Sequence, residues 1–117
     1  MTKVKLTIRE RLGMMKLFND AYAQKGLDVT GLRVAGEIGA KCEMTKKEKK
    51  AINWQDMGPG QAQLDGAKAE KIIIEVTFTD SELDMIASVI KAKNDMKGFT
   101  GADMFVLEFM EKLQIVI

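Results

Sequence analysis

The apolar positions of this chain fall into two periods. Ile8, Leu12, Met15, Phe18 and Tyr22 recur at steps of three and four residues, which predicts a helix from about Ile8 to Gln24 with one buried face. Leu32, Val34, Ala35, Ile38 and Cys42 predict a shorter second helix, weakened by Gly31, Gly36 and Gly39. Leu83, Ile86, Ala87 and Ile90 predict a helix running to about Asp95, and Phe105, Val106, Phe109, Met110 and Leu113 predict a last one. Between them, residues 72–78 are β-branched almost throughout and predict the clearest strand. The alternation in Ala51-Ile52-Asn53-Trp54 suits a short strand that could pair with it antiparallel. Residues 55–70 show no clear period and predict a mobile loop, with Gly58-Pro59-Gly60 as a surface turn.

Polar punctuation sharpens these boundaries. Thr7-Ile8-Arg9-Glu10, Thr45-Lys46-Lys47-Glu48 and Thr79-Asp80-Ser81-Glu82 each read Thr-x-x-Glu, the reciprocal capping box that opens a helix. Thr30 and Thr100 read as further caps, while Lys25-Gly26 and Lys97-Gly98 read as helix ends. The expected fold is therefore one α+β domain over residues 1–117, with four to five short helices packed around a small antiparallel hairpin or sheet. Its two ends share a grammar: a strand-like start, a Thr-x-x-Glu helix, a Lys-Gly stop and a Thr-Gly step into another helix. Segments 4–42 and 72–113 thus read either as a degenerate internal duplication or as convergent capping.

Composition removes most enzyme chemistry. Among 117 residues there is no histidine, so histidine bases, nucleophile–histidine pairs and histidine metal sites are excluded. The single cysteine, Cys42, makes neither an internal disulfide nor a thiolate cluster, and reads as a core residue or a reactive thiol. Asp80, Glu82 and Asp84 fit a helix first turn, with a hard-cation site as the other reading. No catalytic residue, metal ligand or cofactor is expected. No apolar run spans a membrane and no signal segment follows Met1, so the expected location is the cytoplasm.

Three features remain as candidates for function. Lys46, Lys49 and Lys50 share a helix face shortly before Trp54, which suits either a solvated surface or a nucleotide or nucleic acid held by charge and stacking. Nine methionines are many for this length, and the first and last helices carry more apolar surface than one face hides. Met14, Met104 and Phe105 are therefore candidates for an interface in a homo-oligomer or with a protein partner. Charge is also divided: residues 1–58 hold twelve Lys/Arg against seven Asp/Glu, whereas residues 59–117 hold six against ten. Such asymmetry steers a charged partner or lets copies associate head to tail.

The layout resembles a family of small uncharacterised bacteriophage and prophage proteins. The resemblance rests on Glu10-Arg11-Leu12 in an early helix, Val29-Thr30-Gly31-Leu32 entering a second, the charged Thr45–Glu48 segment, and Trp54 near a hairpin. It continues through the strand at 72–78, the helix at 83–90, Phe99-Thr100, and Phe109-Met110-Glu111-Lys112-Leu113. Where that family's last helix carries a histidine and a tyrosine, this chain has residues such as Asp103 and Leu107. The resemblance implies a phage-encoded origin and action in the bacterial host cell; together with the missing catalytic groups and the excess apolar surface, it leads to the expectation of a non-catalytic accessory protein that binds a host or phage macromolecule, inhibition of a bacterial defence or regulatory factor being one such role. A small-ligand binder that sequesters an anionic nucleotide is the alternative.

Overall fold

A computed structural model of the chain describes residues 1–22, 26–59 and 61–116. The fold is α+β. Among the described residues, six α-helices and one 3-10 turn accompany two separate two-stranded antiparallel sheets. The order is β1 (Thr2–Thr7), α1 (Ile8–Tyr22), α2 (Val29–Cys42), α3 (Lys46–Ala51), β2 (Gln55–Gly58), β3 (Gln61–Gln63), α4 (Gly66–Lys71), β4 (Ile73–Phe78), α5 (Asp80–Asp95), the 3-10 turn (Gly101–Asp103) and α6 (Phe105–Leu113).

The strand at 73–78 does not pair with residues 51–54. It pairs with β1, placing Val4 opposite Val76 and Leu6 opposite Ile74. The reason lies in β1 itself, where Val4 and Leu6 alternate with Lys3 and Lys5 and so offer one buried face. Residues 51–54 cannot compete, because Ala51 closes α3 and Asn53 turns the chain at φ 56°. The presumed loop at 55–70 also has structure: β2 and β3 form a hairpin, and Asp65 caps α4 by accepting from the Lys68 N–H. Gly58 stands at φ 123° in that hairpin, a conformation suited to glycine.

The capping boxes open three helices. Thr7 and Glu10, Thr45 and Glu48, and Thr79 and Glu82 each exchange hydrogen bonds between side chain and backbone. The expected caps at Thr30 and Thr100 differ. Asp28, two residues earlier, caps α2 by accepting from the Gly31 N–H at 2.7 Å. Thr100 opens the 3-10 turn, paired with Asp103, and α6 starts only after it. The end of the first helix at Gln24 and the Lys25 stop lie outside the described residues.

The main core gathers Val4, Leu6, Val76 and Phe78 from the sheet with Met14, Leu17, Phe18, Ile38, Ile86, Ile90, Val106 and Phe109 from the helices. A smaller core joins Ile8 at the start of α1 to Ile52 and Ala69, with Trp54 and Leu64 packed against it. Arg11 fastens this second unit to α1. It is fully buried and forms a bidentate pair with Glu48 (Arg11 Nη1 to Oε1 3.2 Å; Nη2 to Oε2), while also donating to the Glu43 carbonyl at 3.4 Å.

The two ends of the chain repeat one another's contacts about the β1–β4 pair. The Lys112 ammonium, from α6, holds the buried Glu10 of the first box at 2.7 and 2.8 Å and donates to the Lys5 carbonyl at 3.0 Å. The Lys41 ammonium, from α2, holds the buried Glu82 of the other box at 2.5 Å and donates to the Thr77 carbonyl at 2.8 Å. In each case the carbonyl lies two residues before the box threonine. Val4 and Val76 face each other across the pair and stand in sequence as far apart as the two box threonines. An antiparallel pair has a local two-fold axis between opposed residues, and these clamps obey it. Each lysine also takes up a carbonyl of its strand, which blunts the pairing potential of a two-stranded sheet.

Candidate functional site

An apolar groove of about 520 Å³ lies between α1 and α2. Met14, Met15 and Phe18 form one wall; Leu32, Ala35 and Gly36 the other; Ile38, Gly39 and Cys42 extend it. Among the described residues Asn19 is the sole polar side chain of the lining, and such a volume lies within the usual range for ligand-binding clefts. The rim is more exposed than a core should be: Leu32 is 65% and Val29 76% exposed, and Met15 is also open to solvent.

The repeat explains why the groove is open. Lys41 and Lys112 occupy matching places, so α2 and α6 can be read in parallel from those anchors. Gly36 then corresponds to Leu107, Gly39 to Met110 and Cys42 to Leu113. Three small residues of α2 stand where α6 carries three large apolar ones. Among the described residues, no heavy atom lies within 4 Å of where a Cβ would sit on Gly36 or Gly39. Packing therefore does not require glycine at either position.

The expected site residues divide. Met14 is buried at 1% exposure, so it is a core residue and reaches solvent only through the groove wall. Phe105 is half-buried, edge-on to Phe109 at 5.3 Å and pressed against Gly13, and it too serves packing. Met104 is exposed, as is Leu107 one turn later. Lys46, Lys49 and Lys50 project into solvent from α3. Trp54 is drawn to them: the Lys49 ammonium lies 5.4 Å from its ring centroid, and its indole N–H donates to Asp56 at 2.9 Å. Lys49 thus covers a face on which a base would stack, while the rest of the ring packs on the smaller core.

Two of the three carboxylates are committed elsewhere. Asp80 meets the amino terminus at 3.4 Å and Glu82 meets Lys41. Among the described residues, no three acidic or cysteine side chains converge on a point that would hold a metal ion. Burial raises the Glu82 carboxyl, but hydrogen bonds from Lys41 and Thr79 prevail and hold it below its ordinary value. Burial likewise acts against Asp103, yet bonds from Thr100 and Lys16 with the nearby Lys93 charge lower it. The Arg11 hydrogen bond lowers Glu48. Cys42 is buried, and desolvation pushes its thiol up to about 11, so it stays protonated at neutral pH.

A second cavity of about 720 Å³ lies between the starts of α1 and α6. Of its charged groups, Arg9 pairs with Glu70 and Glu10 with Lys112, while Glu108 is exposed at its edge. No helix among the described residues is long and apolar enough to cross a membrane. The groove was hard to find in the sequence because its signal is the absence of side chains: glycines inside a helix read as weak propensity. No family model, curated protein or solved structure matches the chain.

Proposed function

We propose that the protein is a non-catalytic binding protein whose α1–α2 groove takes an apolar segment of a protein partner. The observation that carries this reading is that Gly36 and Gly39 leave the groove open at a cost to helix stability and with no packing constraint to justify them. A residue choice that costs about 0.5–1 kcal/mol per position relative to alanine, made twice along one wall, supports selection for the space itself. The apolar lining and exposed Leu32 and Val29 favour side chains such as Leu, Met or Phe over an anionic nucleotide. The resemblance to small phage and prophage proteins supports action in the bacterial cytoplasm on a host or phage protein, with inhibition of a defence or regulatory factor as the outcome.

The test fills the groove from within. A Gly36→Leu/Gly39→Met variant carries the side chains that α6 has at the matching positions. Fluorescence of 8-anilino-1-naphthalenesulfonate, titrated onto dilute protein, reports an open apolar groove. The expected result is strong fluorescence with the natural chain, little with the variant, and a melting temperature at least as high. Equal fluorescence from both would refute the groove as the binding site.

A further inference from the structure

We infer that the unit built on the smaller core is a second binding surface, for double-stranded DNA, with the β2–β3 ribbon in the major groove and the α3 lysines on the flanking phosphates. The ribbon stands free of both cores. Gln55, Asp56, Met57 and Gly58 of β2 are all exposed, as are Ala62 and Gln63 of β3. Trp54 and Leu64 pack on the smaller core at its root, but among the described residues none between them joins either core. The Trp54 N–H donates to the Lys49 carbonyl at 2.9 Å and the Asp65 N–H to the Ile52 carbonyl at 2.8 Å, so the root is fixed. A two-stranded hairpin has little stability of its own in water, and this one lends no apolar face to the fold. Gln55 and Gln63 stand directly opposite each other, so their amides share one face. Two strands lie about 5 Å apart, and the four residues of β2 extend about 13 Å. The major groove of B-form DNA, about 12 Å wide and 8.5 Å deep, admits such a ribbon, and a glutamine amide pairs there with adenine N6 and N7. The deep, narrow major groove of an RNA duplex does not admit it.

Charge points to the same partner. Residues 43–71 hold six lysines and five carboxylates, but two of those carboxylates belong to arginines of α1, Glu48 to Arg11 and Glu70 to Arg9. Six lysines then stand against Glu43, Asp56 and Asp65, which leaves this unit at +3 in a chain whose total is +1. The Asp56 carboxylate is taken up by the Trp54 indole, and that of Asp65 by the Lys68 N–H. Lys46, Lys47 and Lys50 are exposed, and among the described residues they meet no carboxylate, carbonyl or aromatic ring. The single acid of α3, Glu48, is turned inward to Arg11, so the helix shows solvent a row of ammonium groups beside the root of the ribbon. Lysine binds phosphate as a point charge, so the contact does not depend on the Trp54 face that Lys49 covers.

The test is fluorescence anisotropy of a labelled DNA duplex of mixed sequence, titrated with the full chain, beside an RNA duplex of the same sequence. The natural chain is expected to bind the DNA well below the concentration at which it binds the RNA. Three phosphate contacts should weaken that binding about 40-fold between about 50 and 200 mM salt. Lys46→Gln/Lys47→Gln/Lys50→Gln removes those contacts and is expected to abolish most of the affinity and its salt dependence. Gln55→Glu/Gln63→Glu sets two carboxylates on the ribbon face and is expected to weaken DNA binding at least about tenfold. All five positions are exposed, so both variants are expected to keep the natural melting temperature and dye binding in the α1–α2 groove. A natural chain that leaves the DNA free at low salt, equal affinity for the RNA duplex, or either variant binding as the natural chain does would each overturn the inference. Groove and ribbon have no residue in common, so each of those results leaves the groove reading as it was.

Discussion

Replacing Gly13 with alanine tests the packing of α6 on α1. A Cβ at Gly13 would lie 2.7 Å from Phe105 Cε2, 2.8 Å from Cδ2 and 3.0 Å from Cζ. Carbon atoms pack comfortably at about 3.5–4.0 Å, so the ring must retreat by the better part of an ångström. It has little freedom to do so, because Phe105 meets the fully buried Phe109 edge-on at 5.3 Å. Overpacking costs roughly 1–3 kcal/mol, and contacts as short as these belong in the upper part of that range, about 2–3 kcal/mol. Alanine returns about 1 kcal/mol of helix propensity, which leaves a net loss of about 1–2 kcal/mol. For a chain of this length that is a fall in Tm of about 4–8 °C, read by calorimetry or by circular dichroism at 222 nm. In a Phe105→Leu background the clash is relieved and the same substitution should stabilise, so a double-mutant cycle isolates the contact. If Gly13→Ala is neutral or stabilising in the natural chain, Phe105 does not pack on α1 and its ring is free to serve the surface, as the sequence pattern had suggested.

Three further outcomes follow from the polar groups. Glu48, Glu82 and Asp103 all have lowered carboxyl pKa values in the folded chain. Their contribution to stability is therefore full above the ordinary carboxylate range, where the unfolded groups are ionised, and is lost as pH falls through the folded values. Urea melts from pH 7 to pH 3 should be level at first and then weaken below about pH 4.5; a level curve to pH 3 would refute the pairings. Lys41→Met and Lys112→Met each strand a buried carboxylate, Glu82 and Glu10 respectively. Both should destabilise by about 2–3 kcal/mol, below the usual 3–5 for a fully buried pair because the lysines are partly exposed, and denaturant midpoints would show it. Replacing Lys46, Lys49 and Lys50 with alanine should leave dye binding in the groove unchanged, whereas a loss would move the site to α3.

The sequence was most readable where local chemistry decides the structure. The Thr79 box and the periodic face behind it predicted a helix to Asp95, which is where α5 ends. Cys42 was expected either in the core or as a reactive thiol, and it is buried. Long-range choices were not readable. Which strand pairs with residues 73–78 depends on β1 supplying an alternating buried face, and a four-residue window at 51–54 offered nearly as good a pattern. The second core was missed because its members, Ile8, Ile52 and Ala69, come from three separate elements and share no period. Arg11 read as a charged member of a helix, and nothing nearby announced that Glu48 would follow it into the interior. Met14 was misplaced because adjacent methionines point in different directions, and periodicity alone does not say which of them meets α2.

The contrast between glycines is the sharpest test of why the groove exists. Gly13 is held by a ring at contact distance, so the fold requires it. Gly36 and Gly39 have open space where a side chain would begin, so the fold does not. Placing alanine at both should raise stability by about 1–2 kcal/mol through helix propensity alone, or about 4–8 °C in Tm. The same two methyl groups narrow the groove and should weaken binding of 8-anilino-1-naphthalenesulfonate in it, read by fluorescence titration. Stability and binding then move in opposite directions, which is the signature of residues kept for a site. If the double substitution destabilises the chain instead, the glycines serve the backbone of α2, and the groove is a by-product of folding. If stability rises and dye binding is unaffected, the dye sits on another surface and the groove is not the binding site.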